Sequence, residues 1–352
     1  MSSFRPRFVG VIEGFYGRPW VSDQRNRAAR WFAGLGFNTY IYAPKSETYL
    51  RSRWREPFPD YEIAKLQEMA EAYKSAGLQW GIGLSPLGVN QGFSQADRQA
   101  LHAKLQAIRE LKPDIIAVLF DDMSHSTADT APRQLDCLSV VAQALPGVYC
   151  MVCPTYYSSD PVLEEVFGSV PTGYVEHYQD NLSPDTGVFW TGPQVCSERV
   201  TAADIQAAKR QWGEGLVLWD NYPVNDGRLR SQHLYLKPLT GRSVNSELRG
   251  HLCNPMNQLH LSLLGLLGLS ELYELAPKSQ SSELVRQVLG ADLSTWLSAE
   301  TDRFQQTRLD DLSFLVMDSM RQELQKFPGQ GAAECLEWLD GQYRFDPACL
   351  TE

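Results

Sequence analysis

Two aspartates stand side by side at Asp121-Asp122, directly after the apolar run Ile115-Ile-Ala-Val-Leu-Phe120. A run of this kind fits a strand buried on both faces. Bare charges are costly inside such a strand, so the pair belongs at its open end, over a cleft. There the carboxyls can act as general acid and base or hold the polar groups of a ligand. The competing reading is a pair that only caps the following helix. If both are chemical groups, two carboxyls this close are expected to titrate as a unit, one ionised and its neighbour protonated.

The elements that must position this pair are legible along the chain. Phe8–Gly14 reads as a first strand, and Ser22 or Asp23 can cap a helix to about Leu35. Thr39–Pro44 is a second strand, with Lys45 just past its end and a long loop, Ser46–Pro59, carrying Arg51, Arg53, Trp54 and Arg55. Asp60 can cap the next helix. Leu78–Pro86 and the Asp-pair segment are strands three and four, with Ser94 capping the helix between them. Val148–Thr155, Val188–Pro193, Leu216–Trp219 and Leu248–Cys253 complete eight strands. Asp160-Pro161 is a helix start, and Thr201 with Asp204 reads as a capping box. Pro223–Arg242 carries no long amphipathic helix. Eight β–α alternations with polar, Pro/Gly-rich strand ends imply a (β/α)₈ TIM barrel, whose active sites form at the carboxyl ends of the strands. From Ser281 onward only helical periodicities remain, so the expected division is a barrel over residues 1–275 and a C-terminal all-helical domain over 276–352.

On one rim of such a barrel the strand ends would bring together Gly14, Phe15, Tyr16, Lys45, the Asp pair, Tyr156, Tyr157, Trp219, Asp220, Asn221, Asp226 and Asn254. Carboxylates, amides, one amine and aromatic faces are the groups that bind a neutral sugar. The adjacency of the acids then carries a mechanistic message. Two-carboxylate glycosidases straddle the anomeric carbon with carboxyls roughly 5–5.5 Å apart when retaining and 6.5–9.5 Å when inverting. Neighbours on one strand end do not readily straddle a sugar. A 2-acetamido group on the substrate can supply the attacking oxygen instead, closing to an oxazoline. Intramolecular attack of this kind can remove roughly 7–11 kcal/mol of barrier. One aspartate would hold the acetamide N–H. The other would protonate the leaving oxygen and later activate water, a role worth roughly 10²–10⁴ in rate.

Val11-Ile-Glu-Gly-Phe-Tyr-Gly-Arg-Pro-Trp20, Tyr42-Ala-Pro-Lys45, Leu119-Phe-Asp-Asp122, Trp190-Thr-Gly-Pro193, Leu218-Trp-Asp-Asn221 and Asn254-Pro255 together resemble glycoside hydrolase family 84, the O-GlcNAcase and bacterial β-N-acetylglucosaminidase family. The resemblance covers about residues 8–275. It implies a retaining exo-β-N-acetylglucosaminidase with substrate-assisted catalysis, acting on GlcNAc-bearing glycoproteins or glycoconjugates and needing no metal or cofactor. It implies that Asp121 polarises the acetamido N–H, Asp122 is the general acid/base and Tyr157 donates to the acetamido oxygen. Trp219 would wall the N-acetyl pocket, with Asn221 bonding within the site. Gly14, Lys45, Asp226 and Asn254 would grip the sugar hydroxyls, and Tyr16 and Val195 would line the pocket or its aglycone side. A catalytically silent GlcNAc-binding barrel and an endo-acting chitinase or hyaluronidase are the alternatives. The extra N-terminal domain of many bacterial members and the acetyltransferase-like domain of animal members are expected to be absent. The C-terminal helices match no motif, and the expectation for them is a stalk that forms a homodimer or meets protein substrate.

Composition narrows the partners. A net charge of −10 without a Lys/Arg-rich block argues against nucleic acid or an anionic membrane. The longest apolar segment, Leu259–Leu269, is too short to span a bilayer. Met-Ser-Ser-Phe-Arg-Pro-Arg-Phe at the start has no apolar signal core, and seven scattered cysteines suit reduced thiols, so a cytoplasmic location is expected. Cys150 and Cys153 have CxxC spacing but fall in a strand-like run, which argues against a redox or zinc role. The histidines are isolated, with no metal-site spacing.

Overall fold

The computed structural model describes residues 4–124, 126–243 and 248–351. Eight parallel strands close into a barrel in chain order, β1 (Phe8–Glu13), β2 (Thr39–Tyr42), β3 (Gln79–Leu84), β4 (Ile115–Leu119), β5 (Tyr149–Cys153), β6 (Gly187–Trp190), β7 (Leu216–Asp220) and β8 (Gly250–Cys253). β8 pairs back to β1, which leaves no open edge. The strand residues are buried almost throughout, because inner faces fill the barrel and outer faces meet helices.

The helices between strands are α1 (Ser22–Gly34), α2 (Asp60–Ser75), α3 (Gln95–Glu110), α4 (Thr130–Ala144), α5 (Val162–Phe167), α6 (Tyr174–Asn181) and α7 (Ala202–Trp212), with α8 (Leu259–Leu272) after β8. Ser94 and Thr201 cap α3 and α7, each paired with an aspartate three residues on that returns a bond to the cap backbone. The other two expected caps differ. α1 starts at Ser22 itself, behind Val21, and α2 starts at Asp60, behind Pro59; neither cap position makes a side-chain bond. Asp23 and Asp60 instead sit in the first turns, where the helix dipole favours a negative charge. Asp160 does serve α5, accepting from the Val162 N–H at 3.1 Å. The long connection between β7 and β8 holds only a short 3₁₀ turn, Arg230–Gln232, among its described residues.

Four further helices follow: α9 (Lys278–Leu289), α10 (Ala291–Gln306), α11 (Phe314–Leu324) and α12 (Gln330–Leu339). α9 packs on α8 and α1, and α12 packs on α8. One hydrophobic cluster runs without a break from the barrel into these helices. α8 is apolar around its whole circumference because the barrel covers one side and α9 and α12 another. Glu334 of α12 accepts from the backbone N–H groups of His260 and Leu261, both at 3.1 Å, and so places a carboxylate at the positive end of α8. Among the described residues no helix is long and apolar enough to cross a membrane.

Candidate active site

Asp121 and Asp122 lie at the carboxyl end of β4, where the Phe120 N–H makes a last ladder bond to the Cys153 carbonyl at 2.8 Å. Asp121 is buried and forms an ion pair with the Lys45 ammonium, carried on the loop after β2. Its other oxygen, Oδ1, is buried without a hydrogen-bond partner among the described residues, although Asp121 lines the cavity at this end of the barrel. An orphaned buried carboxylate oxygen is costly and marks a place that a ligand N–H can complete. Asp122 sits in the left-handed backbone region at φ 54°. That conformation is uncommon for a residue with a side chain, and strain of this kind gathers at functional sites. Asp122 accepts from the Tyr16 hydroxyl at 2.7 Å through Oδ2 and from the Tyr157 hydroxyl at 3.4 Å through Oδ1. Burial raises the Asp122 pKa above the ordinary aspartate value. The Asp121 charge raises it further, and Lys45, the Tyr16 bond and Arg51 oppose the rise. The pair is therefore asymmetric: one acid is held beside an ammonium, and its neighbour is inclined to keep a proton.

The wall is built around Trp219, at the end of β7. Its Nε1–H donates to Asn221 Oδ1 at 3.0 Å, and its ring meets the edge of Phe189 with centroids 5.2 Å apart. Asn221 is fully engaged, receiving Asn254 Nδ2 at 3.0 Å and donating to the Val195 carbonyl at 2.8 Å. Asn254 also accepts from the Gly14 N–H at 3.1 Å, which ties β8 to the loop after β1. Gly14 is required for space: a Cβ there would lie 2.3 Å from Cζ2 of Trp219. Asp226 accepts from the Tyr16 backbone N–H at 2.6 Å and fixes the loop that carries the Tyr16 ring. That loop is also anchored from below, where Glu13 holds the buried Arg25 guanidinium with both oxygens at 2.6 and 2.7 Å.

The cavity brings together Gly14, Tyr16, Asp121, Asp122, Tyr157, Val195, Trp219, Asn221 and Asp226. Two expected contact residues stand behind it. Lys45 acts through its pair with Asp121, and Asn254 through Gly14 and Asn221. Thr191, from the Trp190–Pro193 motif, also lines the cavity, as do Cys196, Val224, Gly227 and Arg230 from loops whose sequences carry no pattern. So do Cys349 and Thr351, near the C-terminus of the chain, and the Thr351 side chain hydrogen-bonds Tyr157. With this segment in place the cavity holds about 50 Å³ of free space. Ligand pockets usually offer roughly 300–1,000 Å³.

Phe15, Tyr156 and Asp220, expected on the rim, do not line the cavity, and behind Trp219 Asp220 turns away from it. It receives the Arg242 fork at 2.7 Å on each oxygen and contacts His251 Nε2 at 2.9 Å. Burial alone would raise its pKa, but Arg242 and His251 outweigh burial and hold it at about 2. Asp220, His251 and Cys253 come close enough to suggest metal ligands. Arg242 already occupies the carboxylate, however, and the second ring nitrogen of His251 is bonded to Tyr273 at 3.0 Å, so the place of a cation is taken. No two of the seven cysteines form a disulfide. Burial pushes the Cys150 thiol up to about 12 and Cys153 well above its ordinary value, so this CxxC pair within β5 lacks the thiolate character of a redox or zinc site.

A family model described as beta-N-acetylglucosaminidase matches residues 9–305. The Protein O-GlcNAcase of Rattus norvegicus is 31% identical over 282 residues, covering 76% of this chain, and that of Mus musculus matches equally. The chain spans only 30% of the length of each of these relatives. A solved structure of a mutant Thermobaculum terrenum O-GlcNAc hydrolase superposes with a TM-score of 0.76 at 27% identity, covering 96% of this chain and 81% of that one.

Proposed function

The chain belongs to the beta-N-acetylglucosaminidase family, and from that premise we propose that it is a retaining exo-β-N-acetylglucosaminidase that removes terminal β-linked GlcNAc from proteins or glycoconjugates. The observation that carries the mechanism is the orphaned Asp121 Oδ1 beside a proton-retaining Asp122. The free oxygen accepts the acetamido N–H, while Lys45 holds the other Asp121 oxygen in its ion pair. With its N–H held, the acetamide turns its carbonyl oxygen onto the anomeric carbon. The C1–O bond to the aglycone breaks as the ring closes to the protonated oxazoline, its N–H still held by Asp121, and Asp122 gives its proton to the leaving oxygen. The Asp122 carboxylate then takes a proton from water, which opens the oxazoline at C1 with overall retention. Tyr157 donates to the acetamido oxygen. Trp219 backs the acetyl group, Gly14 and Asp226 meet the sugar hydroxyls, and Tyr16 and Val195 border the aglycone side. Lys45 and Asn254 serve from behind, through Asp121 and Asn221.

The test is hydrolysis of a chromogenic β-GlcNAc glycoside and of the matching glucoside. Only the first should turn over, and Asp122→Asn should lose roughly 10²–10⁴ in kcat on a poor leaving group. Equal rates on the two glycosides would refute the acetamide as nucleophile. Binding of GlcNAc without turnover would favour a silent sugar-binding barrel, and internal cleavage of chito-oligosaccharides an endo-acting enzyme.

The reading extends to the C-terminal helices of residues 276–352, which we take as a helical domain packed on the barrel and serving a homodimer. Phe314 and Leu315 at the start of α11 are 75% and 78% exposed, an apolar pair that suits an interface. Sedimentation that shows a monomer at all concentrations would overturn this. The absence of any disulfide among seven cysteines supports a reducing, cytoplasmic setting.

A further inference from the structure

The loop after β2 is rich in arginine, and its arginines are not equivalent. Arg53 pairs with Glu56, and Arg55 with Asp97 at 2.5 Å. Arg51 is half-buried and forms no ion pair with a carboxylate among the described residues. Its Nη2 instead donates to the Tyr16 hydroxyl oxygen at 2.9 Å, and the guanidinium lies 5.1 Å from the centre of the Tyr16 ring. The position is firmly set. The Arg51 N–H closes the 3₁₀ turn Thr48–Leu50 on Thr48 at 3.1 Å, and the Leu50 carbonyl accepts from Ser85 N–H at the end of β3 at 2.8 Å. A structural arginine this close to the barrel mouth would be expected to take a carboxylate. This one holds a phenol whose only other hydrogen bond among the described residues is to Asp122.

We propose that Arg51 is a positioning residue for the acid/base step, acting through Tyr16 to fix the direction of the hydrogen bond that reaches Asp122. The inference rests on the reading of Asp122 as the acid/base. A phenol has one proton to give, whereas a guanidinium can only donate. While Arg51 occupies the Tyr16 oxygen, the Tyr16 proton points at Asp122. A fixed donor favours the carboxylate that forms when Asp122 releases its proton to the leaving oxygen, and it needs no reorganisation at that moment. Without Arg51 the phenol can turn and accept from protonated Asp122, which stabilises the acid form and makes it a poorer acid. The charge of Arg51 acts in the same sense on Asp122. The other ionisable groups facing Asp122 are Lys45 from the loop after β2, Asp121 on the end of β4, and Cys153 and Tyr157 from β5 and the loop that follows it. Asp226 reaches the network through the backbone of Tyr16.

The experiment compares pH profiles of kcat/KM for wild type, Arg51→Met, Arg51→Lys, Tyr16→Phe and the double variant Tyr16→Phe/Arg51→Met on β-GlcNAc glycosides. Arg51→Met should move the basic limb up by roughly one pH unit, with kcat lowered most for poor leaving groups and KM little changed. Arg51→Lys should recover most of the shift, and in the Tyr16→Phe background removal of Arg51 should add little. An unmoved limb in Arg51→Met would overturn the proposal. So would the same shift with and without the phenol, since that would mean a plain through-space charge. A ¹³C NMR titration of the Asp122 carboxyl in the ligand-free protein should show the same shift. Because it needs no turnover, it separates a failure of this inference from a failure of the proposed activity. If Arg51→Met does not fold, the Lys and Phe variants still decide.

Discussion

Gly14→Ala is a small substitution with a large expected effect, and the structure sets its size. Gly14 has no left-handed backbone angle, so alanine meets no conformational penalty there. It meets Trp219. The new Cβ would stand 2.3 Å from Cζ2 and 2.8 Å from Cη2, while carbon atoms settle at about 3.5–4.0 Å. The indole must therefore withdraw by about 1.2 Å, the difference between about 3.5 and 2.3 Å. It is poorly placed to do so, because Nε1 is tied to Asn221, Phe189 stands against the ring, and Asn221 is itself held by Val195 and Asn254. Overpacking of this kind costs about 1–3 kcal/mol of stability. A wall moved by about 1 Å can cost about 10² in rate. The assay pairs kcat/KM on a β-GlcNAc glycoside with urea unfolding. The expected result is a folded protein with kcat/KM down by about 10². A variant within about threefold of wild type in kcat/KM would show that Trp219 is not the rigid wall described, and the argument from Gly14 would fail.

Two further outcomes follow from the same geometry. Asp220 has a folded-state pKa depressed to about 2, so its contribution to stability is present above its unfolded value near 3.9 and disappears as pH falls toward 2. That contribution is about 2–3 kcal/mol; acid unfolding followed by circular dichroism should therefore steepen in this window, and Asp220→Asn should abolish the steepening. Deleting residues 345–352 should raise kcat/KM on a small glycoside several-fold, because Cys349 and Thr351 occupy space beside Tyr157. A fall in kcat/KM would mean that the segment helps to bind substrate rather than obstructing it.

The barrel was legible in the sequence because each strand is an apolar run that ends in polar or Gly/Pro-rich residues, and parallel strands buried on both faces leave that signature. Thr201 and Asp204 announced α7 because a capping box is a local device. Val21 and Pro59 carry no sign of being cap positions because neither has a side chain that bonds the helix end. The rim residues could be assembled from strand ends, but their order of contact could not. Lys45 and Asp121 are 76 residues apart, and nothing local told Lys45 to meet a carboxylate rather than a sugar. Asn254 reads as a turn residue, and only the closed barrel brings it against both Gly14 and Asn221. Cys349 and Thr351 follow the last helix in a stretch without periodicity, so their return to the cavity left no trace in the pattern.

The all-round apolar character of α8 bears on how this protein can be handled. Cutting the chain near residue 275 would keep every residue of the cavity up to Arg230. It would also strip the cover from the outer side of α8 and remove Glu334 from its first turn. The excised barrel would then show water a greasy stripe of leucines, and its failure in solution would be precipitation before any loss of chemistry.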